Sequence, residues 1–126
     1  MILGTGVDLV SSARLAEILR ERGRAFEAKV FTPAERAYAA GHSDRVERLA
    51  GRFAAKEAVM KALGTGWAAG VSWKEIEVKN DRAGRPLVAL KGRTAGRAKK
   101  LGIRNWHLSI SHADGWAVAS VVAEGA

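Results

Sequence analysis

The chain opens on an apolar run, Ile2 to Val10, broken by Gly4 and Gly6 and carrying one charge, Asp8. Such a run reads as a short strand, and glycines inside a strand mark positions where another backbone comes close. Whatever packs on this strand must therefore approach tightly at two points. Strand alternation sets Asp8 on the side opposite Val7 and Leu9. A carboxylate there is costly unless something pairs with it, whether a salt bridge, a cap for the next segment or a bound cation.

Downstream, Ser11 or Ser12 caps a helix with Leu15, Ile18 and Leu19 at helical spacing. Its other face carries Arg14, Glu17, Arg20, Glu21, Arg22 and Arg24. Thr32-Pro33-Ala34-Glu35 starts a second helix that ends at Gly41. A longer helix begins at Ser43 or Asp44 and runs to Leu63, with Gly64 as its C-terminal cap and Thr65-Gly66 extending the break. Trp73 to Val78 and Pro86 to Leu90 read as a hairpin around the turn Asn80 to Gly84, followed by a short basic helix from about Thr94 to Lys100. His107 to Ser111 alternates, and Trp116 to Val122 is an apolar strand reached through the turn Ala113-Asp114-Gly115. Strands and helices mix without a βαβ rhythm, so the predicted class is α+β with antiparallel pairing, in one domain over residues 1–126.

Composition narrows the chemistry. The 126 residues include no cysteine, which excludes disulfides, thiolate metal sites and cysteine nucleophiles together. The three histidines show no paired ligand spacing, which weighs against zinc. No apolar run approaches the ~18 residues of a membrane span. The N-terminus lacks the basic start and long apolar stretch of a signal peptide, so a cytoplasmic location is expected. Lys and Arg total 21 against 13 acidic residues, a net +8 that attracts polyanions: nucleic acid, phosphorylated small molecules or an acidic protein. The charge does not choose among them.

Two further segments carry polar groups in useful patterns. In Arg52 to Gly66, Phe53, Met60 and Leu63 point toward the core, while Glu57 and Lys61 lie one turn apart on a face and Arg52 lies just over one turn before Glu57. The plain reading of Glu57–Lys61 is a surface ion pair worth a few tenths of a kcal/mol. Yet Ala54, Ala55, Ala58 and Ala62 surround the charges and permit close approach of a backbone or a ligand. In His107-Leu108-Ser109-Ile110-Ser111-His112, alternation gathers His107, Ser109 and Ser111 on one face. Hydroxyl and N–H donors suit phosphate oxygens, and a solvated strand face is the plain alternative. No Gly-x-Ser-x-Gly surrounds either serine, against a serine nucleophile. Together the segments outline a hard cation held by Asp8 and Glu57, with Lys61, Arg52 and a hydroxyl-lined strand facing a phosphorylated ligand. Magnesium fits best, because it accepts one or two carboxylates and fills its octahedron with water and phosphate oxygens.

The blocks Gly4-Thr5-Gly6-Val7-Asp8, Phe31-Thr32-Pro33-Ala34-Glu35, Arg52-Phe53-Ala54-Ala55-Lys56-Glu57-Ala58, Lys61-Ala62-Leu63-Gly64-Thr65-Gly66 and Ser109-Ile110-Ser111-His112 resemble, in order, the holo-[acyl-carrier-protein] synthases. These are the small bacterial class of 4′-phosphopantetheinyl transferases. The turn ending Gly84-Arg85-Pro86 matches too. The resemblance implies an antiparallel sheet packed against a long helix, a homotrimer with active sites between subunits, and Mg²⁺-dependent transfer of the phosphopantetheine arm of coenzyme A to a serine of an apo acyl carrier protein. It implies a setting in fatty-acid synthesis. It implies metal binding by Asp8 and Glu57, catalysis by Glu57 and Lys61, and coenzyme A contacts from Arg52, Lys61, Gly64, Ser109, Ser111 and His112. Arg14, Arg20 and Arg24 correspond to the surface that meets the acidic carrier. The serine proton would pass to Glu57 or to a water on the metal. Phe31, Pro33 and the four tryptophans, Trp67, Trp73, Trp106 and Trp116, depart from the commonest pattern. Two other readings fit less well. A basic nucleic-acid-binding module lacks helix-turn-helix spacing, RNP-like interleaving and a KH loop. A non-catalytic coenzyme A-binding subunit has no need for Asp8, Glu57 and Lys61 together.

Overall fold

A computed structural model describes residues 1–65 and 71–126. The elements run β1 (Ile2–Ser11), α1 (Ser12–Val30), α2 (Pro33–Ala40), α3 (Arg45–Leu63), a 3₁₀ turn (Trp73–Glu75), β2 (Ile76–Asn80), β3 (Pro86–Leu90), α4 (Gly92–Lys100), β4 (Asn105–Ala113) and β5 (Trp116–Glu124). Strands β1, β5 and β4 form an antiparallel sheet in that spatial order, and β2 and β3 form a separate hairpin, giving an α+β fold. Among the described residues, no helix is long and apolar enough to cross a membrane.

The glycines of β1 set the central contact. A Cβ added at Gly4 or Gly6 would overlap the carbonyl oxygen of Ala62 or Ala58, so β1 lies directly on the α3 backbone. The alanines of α3 therefore admit a strand, not a ligand. Ala117, Ala119 and Ala123 of β5 complete this small-residue seam, all fully buried. Larger side chains, among them Leu15, Phe31, Leu49, Met60 and Ile76, fill the core between α3 and the remaining helices.

The helix stops follow from local chemistry. Thr32 and Glu35 form a reciprocal capping box at the start of α2. Gly64 ends α3 with φ 75°, a left-handed conformation natural to glycine. Helix α1 continues to Val30 through a kink at Gly23, φ 63°. The β4–β5 turn uses positive φ at Asp114 and Gly115, as a two-residue hairpin loop with right-handed strand twist requires. The sequence-predicted Gly66 and Trp67 lie outside the described residues.

One expected strand is shorter than predicted. Trp73–Glu75 forms a 3₁₀ turn, and β2 begins at Ile76. Its polar groups are engaged elsewhere: Lys56 Nζ donates to the carbonyls of Trp73 and Ile76 at 2.9 and 2.5 Å. The Glu75 carboxylate accepts from the N–H groups of Arg93 and Thr94, closing the first turn of α4 from outside.

Lys56 also anchors the molecule's one fully buried charge pair among the described residues. Its ammonium lies 2.7 Å from Glu35 Oε1, and both side chains are shut off from solvent. Glu35 in turn accepts from the N–H of Thr32 at 2.9 Å and of Val78 at 2.8 Å. Every oxygen and proton of the pair is thereby used, tying α3, α2 and β2 together. Burial pushes the lysine ammonium below its ordinary pKa, with Glu35 opposing that shift.

Candidate active site

Beyond Gly6, β1 delivers its next helix-facing residue, Asp8, beside the last turns of α3. The Asp8 side chain is only 17% exposed, so its charge needs a partner. Lys61 supplies one: its Nζ donates to Asp8 Oδ1 at 3.2 Å and to the Val7 carbonyl at 2.8 Å. Glu57, one helical turn before Lys61, completes the group. Burial first, then the charge of Asp8, pushes its carboxyl above the ordinary glutamate range, with Lys61 pulling the other way. Two carboxylates and one ammonium thus converge where the closest strand–helix contact ends.

Among the described residues no cluster of three or more His, Cys, Asp or Glu side chains could hold a metal. The two-carboxylate set fits a hard cation that takes its remaining ligands from water and phosphate. It does not fit an all-protein calcium cage or zinc. Gly64 closes α3 three residues beyond Lys61, its N–H donating to the Lys61 carbonyl at 3.0 Å.

The other expected ligand residues lie away from this group. Arg52 sits nine residues before Lys61, roughly 13 Å along the helix axis. It is 5% exposed, with its guanidinium 3.8 Å over the Tyr38 ring and Nη2 donating to Asn80 Oδ1 at 2.5 Å. Ser109 and Ser111 flank Ile110, which aligns through Ala119 with Asp8, two strands across the sheet. They lie on the sheet face opposite Asp8. His112 turns back to the helix side, its Nε2 donating to the Glu47 carbonyl at 3.0 Å near the start of α3. Within one chain, then, Asp8, Glu57 and Lys61 come together. Arg52, Ser109, Ser111 and His112 do not join them. Arg14, Arg20 and Arg24 are exposed along α1, where the Arg14 N–H caps onto Ser11 Oγ at 3.2 Å.

A groove between the Arg85-Pro86-Leu87 segment and β4 is lined by Trp106, His107 and Ser109. Sequence reasoning noted that turn but gave it no role. It also missed the Lys56–Glu35 pair. The signal was present: Lys56 falls on the stripe Leu49, Arg52, Val59, Leu63, all buried.

On the open face of the sheet, Val7 and Leu9 of β1 and Trp116 of β5 remain exposed. Val7 and Leu9 are 59% and 60% exposed, an uncovered apolar face on a strand whose other side is packed.

Comparison with known proteins gives one answer. A model of the 4′-phosphopantetheinyl transferase superfamily matches residues 4–121. A holo-[acyl-carrier-protein] synthase of Koribacter versatilis is 48% identical over 98% of this chain and 99% of its own length. The crystal structure of holo-[acyl-carrier-protein] synthase from Neisseria meningitidis superimposes with a TM-score of 0.91 at 36% identity, covering 98% of this chain and 99% of that one. That of Bacillus anthracis, in complex with CoA (3′,5′-ADP), gives 0.82 at 39% identity over 100% and 99%.

Proposed function

The chain belongs to the 4′-phosphopantetheinyl transferase superfamily and moves the phosphopantetheine arm of coenzyme A to apo acyl carrier protein; we propose how its residues divide that work. The carrier serine Oγ forms a bond to the phosphorus that bears the pantetheine arm. The P–O bond to the other phosphate breaks, and 3′,5′-ADP leaves with the electron pair. Lys61 meets the pyrophosphate charge as that bond lengthens. Glu57, one helical turn before Lys61, takes the serine proton. Asp8 and Glu57 would hold magnesium, which would supply neutralisation of pyrophosphate charge. Arg14, Arg20 and Arg24 meet the carrier's acidic surface. A cytoplasmic setting in fatty-acid synthesis fits these substrates.

The observation that carries this reading is the convergence of Asp8, Glu57 and Lys61 at the end of the β1–α3 seam. The separation of Ser109, Ser111 and His112 from that group supports a homotrimer, in which the nucleotide end of coenzyme A is held by a neighbouring copy. The exposed apolar face of β1 and β5 supports the same assembly. Mixing inactive Asp8→Asn and His112→Ala proteins tests both points. Shared sites predict recovery of part of the parental transfer rate on subunit exchange; no recovery contradicts them.

A further inference from the structure

Six basic residues and no acidic ones lie between Lys91 and Arg104: Lys91, Arg93, Arg97, Lys99, Lys100 and Arg104. The rest of the chain holds 15 basic against 13 acidic residues, so this segment carries six of the eight net charges. Helix α1, by contrast, interleaves five basic residues with three acidic ones. Most of the net positive charge therefore lies on and beside α4.

Arg93, Arg97 and Lys100 recur at i, i+4 and i+7 and line a shallow depression at Gly96, where an added Cβ would meet nothing within 4 Å. Among the described residues no ion pair engages Arg97, Lys99 or Lys100, while the Arg93 charge acts on the nearby Glu75 carboxylate. Arg97 Nε is shut off from solvent without a hydrogen-bond partner. Like charges one turn apart weaken a helix, and α4 does not need them to stay in place. Thr94 and Ala98 provide its buried face, and the Glu75 carboxylate holds its first turn. The helix packs on the 3₁₀ turn, which packs on α1, and exposed Lys74 lies between them.

We propose that α4 is a second docking surface for the acidic carrier protein, holding carboxylates of the carrier while α1 holds others. The proposal rests on the transferase reading above. Leu101, 41% exposed, stands at the end of the helix as an apolar contact. Helix α4 itself carries no aromatic side chain on which bases could stack, so a protein face of aspartates and glutamates fits it better than nucleic acid.

The test is the variant Arg93→Gln/Lys99→Gln/Lys100→Gln, which spares half-buried Arg97, assayed for transfer to apo carrier from low to high salt. Transfer by the parent in the same assay checks the transferase reading independently. The expected result is a kcat/KM for carrier about tenfold below the parent at low salt, converging with it near about 0.5 M salt. The KM for coenzyme A and the melting curve stay at parental values, and Arg93→Lys keeps parental kinetics. An unchanged kcat/KM for carrier overturns the proposal, as does a raised KM for coenzyme A. Equal loss per charge in Lys79→Gln/Arg82→Gln, two exposed cations of the β2–β3 hairpin, also overturns it by showing a net-charge effect alone. Lost binding to duplex DNA with unchanged carrier kinetics overturns it in favour of nucleic acid.

Discussion

Glu57 is held in surroundings that disfavour its own charge, and that is a measurable cost. Its folded-state pKa lies above the ordinary glutamate value, so the native chain holds this proton more tightly than the unfolded chain does. Stability contributed by the protonated form is present at low pH and lost as pH rises through the window between the two values. In EDTA, Glu57→Gln is therefore expected to melt above the parent at neutral pH, with the gap closing below about pH 4. Melting curves across pH check this, and a pH-independent gap contradicts it. Magnesium should then raise the melting temperature of the parent and leave Glu57→Gln unmoved. At this scale the sequence was informative wherever periodicity fixes a face. Strand alternation set Asp8 opposite Val7 and Leu9, and one helical turn joined Glu57 to Lys61. Arg52 was not legible in the same way, because its neighbours Tyr38 and Asn80 come from elements distant in the chain.

Between elements, backbone contact and one buried charge pair hold the site in place. Gly6→Ala drives a Cβ into the Ala58 carbonyl oxygen, with backbone on both sides and no side chain able to yield. A loss of about 3 kcal/mol is expected by urea denaturation at fixed protein concentration, together with impaired transfer. A neutral Gly6→Ala would show that β1 does not sit on α3 as described. Lys56→Met leaves Glu35 buried without its ammonium, at a cost of about 3–5 kcal/mol. The double variant Lys56→Met/Glu35→Gln should lose less than Lys56→Met alone, and simple additivity would contradict the pairing. Helix limits were readable from caps such as Thr32 and Gly64, because those signals are local. The 3₁₀ turn at Trp73–Glu75 was not, since its carbonyl answers to Lys56, seventeen positions earlier.

At the scale of the molecule, one sheet face is packed and the other is open. Val7 and Leu9 lie on the open side, and Val7→Asp is expected to leave the chain folded but reduce its assembly, seen as a smaller species in light scattering. An unchanged mass would place the interface elsewhere. The opening strand could be read as β from its residues, but which of its faces stays uncovered could not. That depends on α3 claiming the glycine side. We propose that Asp8, Glu57 and Lys61 form a magnesium-dependent phosphopantetheinyl transfer site. The most direct measurement is the intact mass of an apo acyl carrier protein incubated with this protein, coenzyme A and Mg²⁺, alongside EDTA and Asp8→Asn samples. The expected result is a gain of one phosphopantetheine arm that disappears in both controls. A gain that persists with EDTA or in Asp8→Asn would contradict the assignment of the site, and no gain with the parent would contradict the transfer itself.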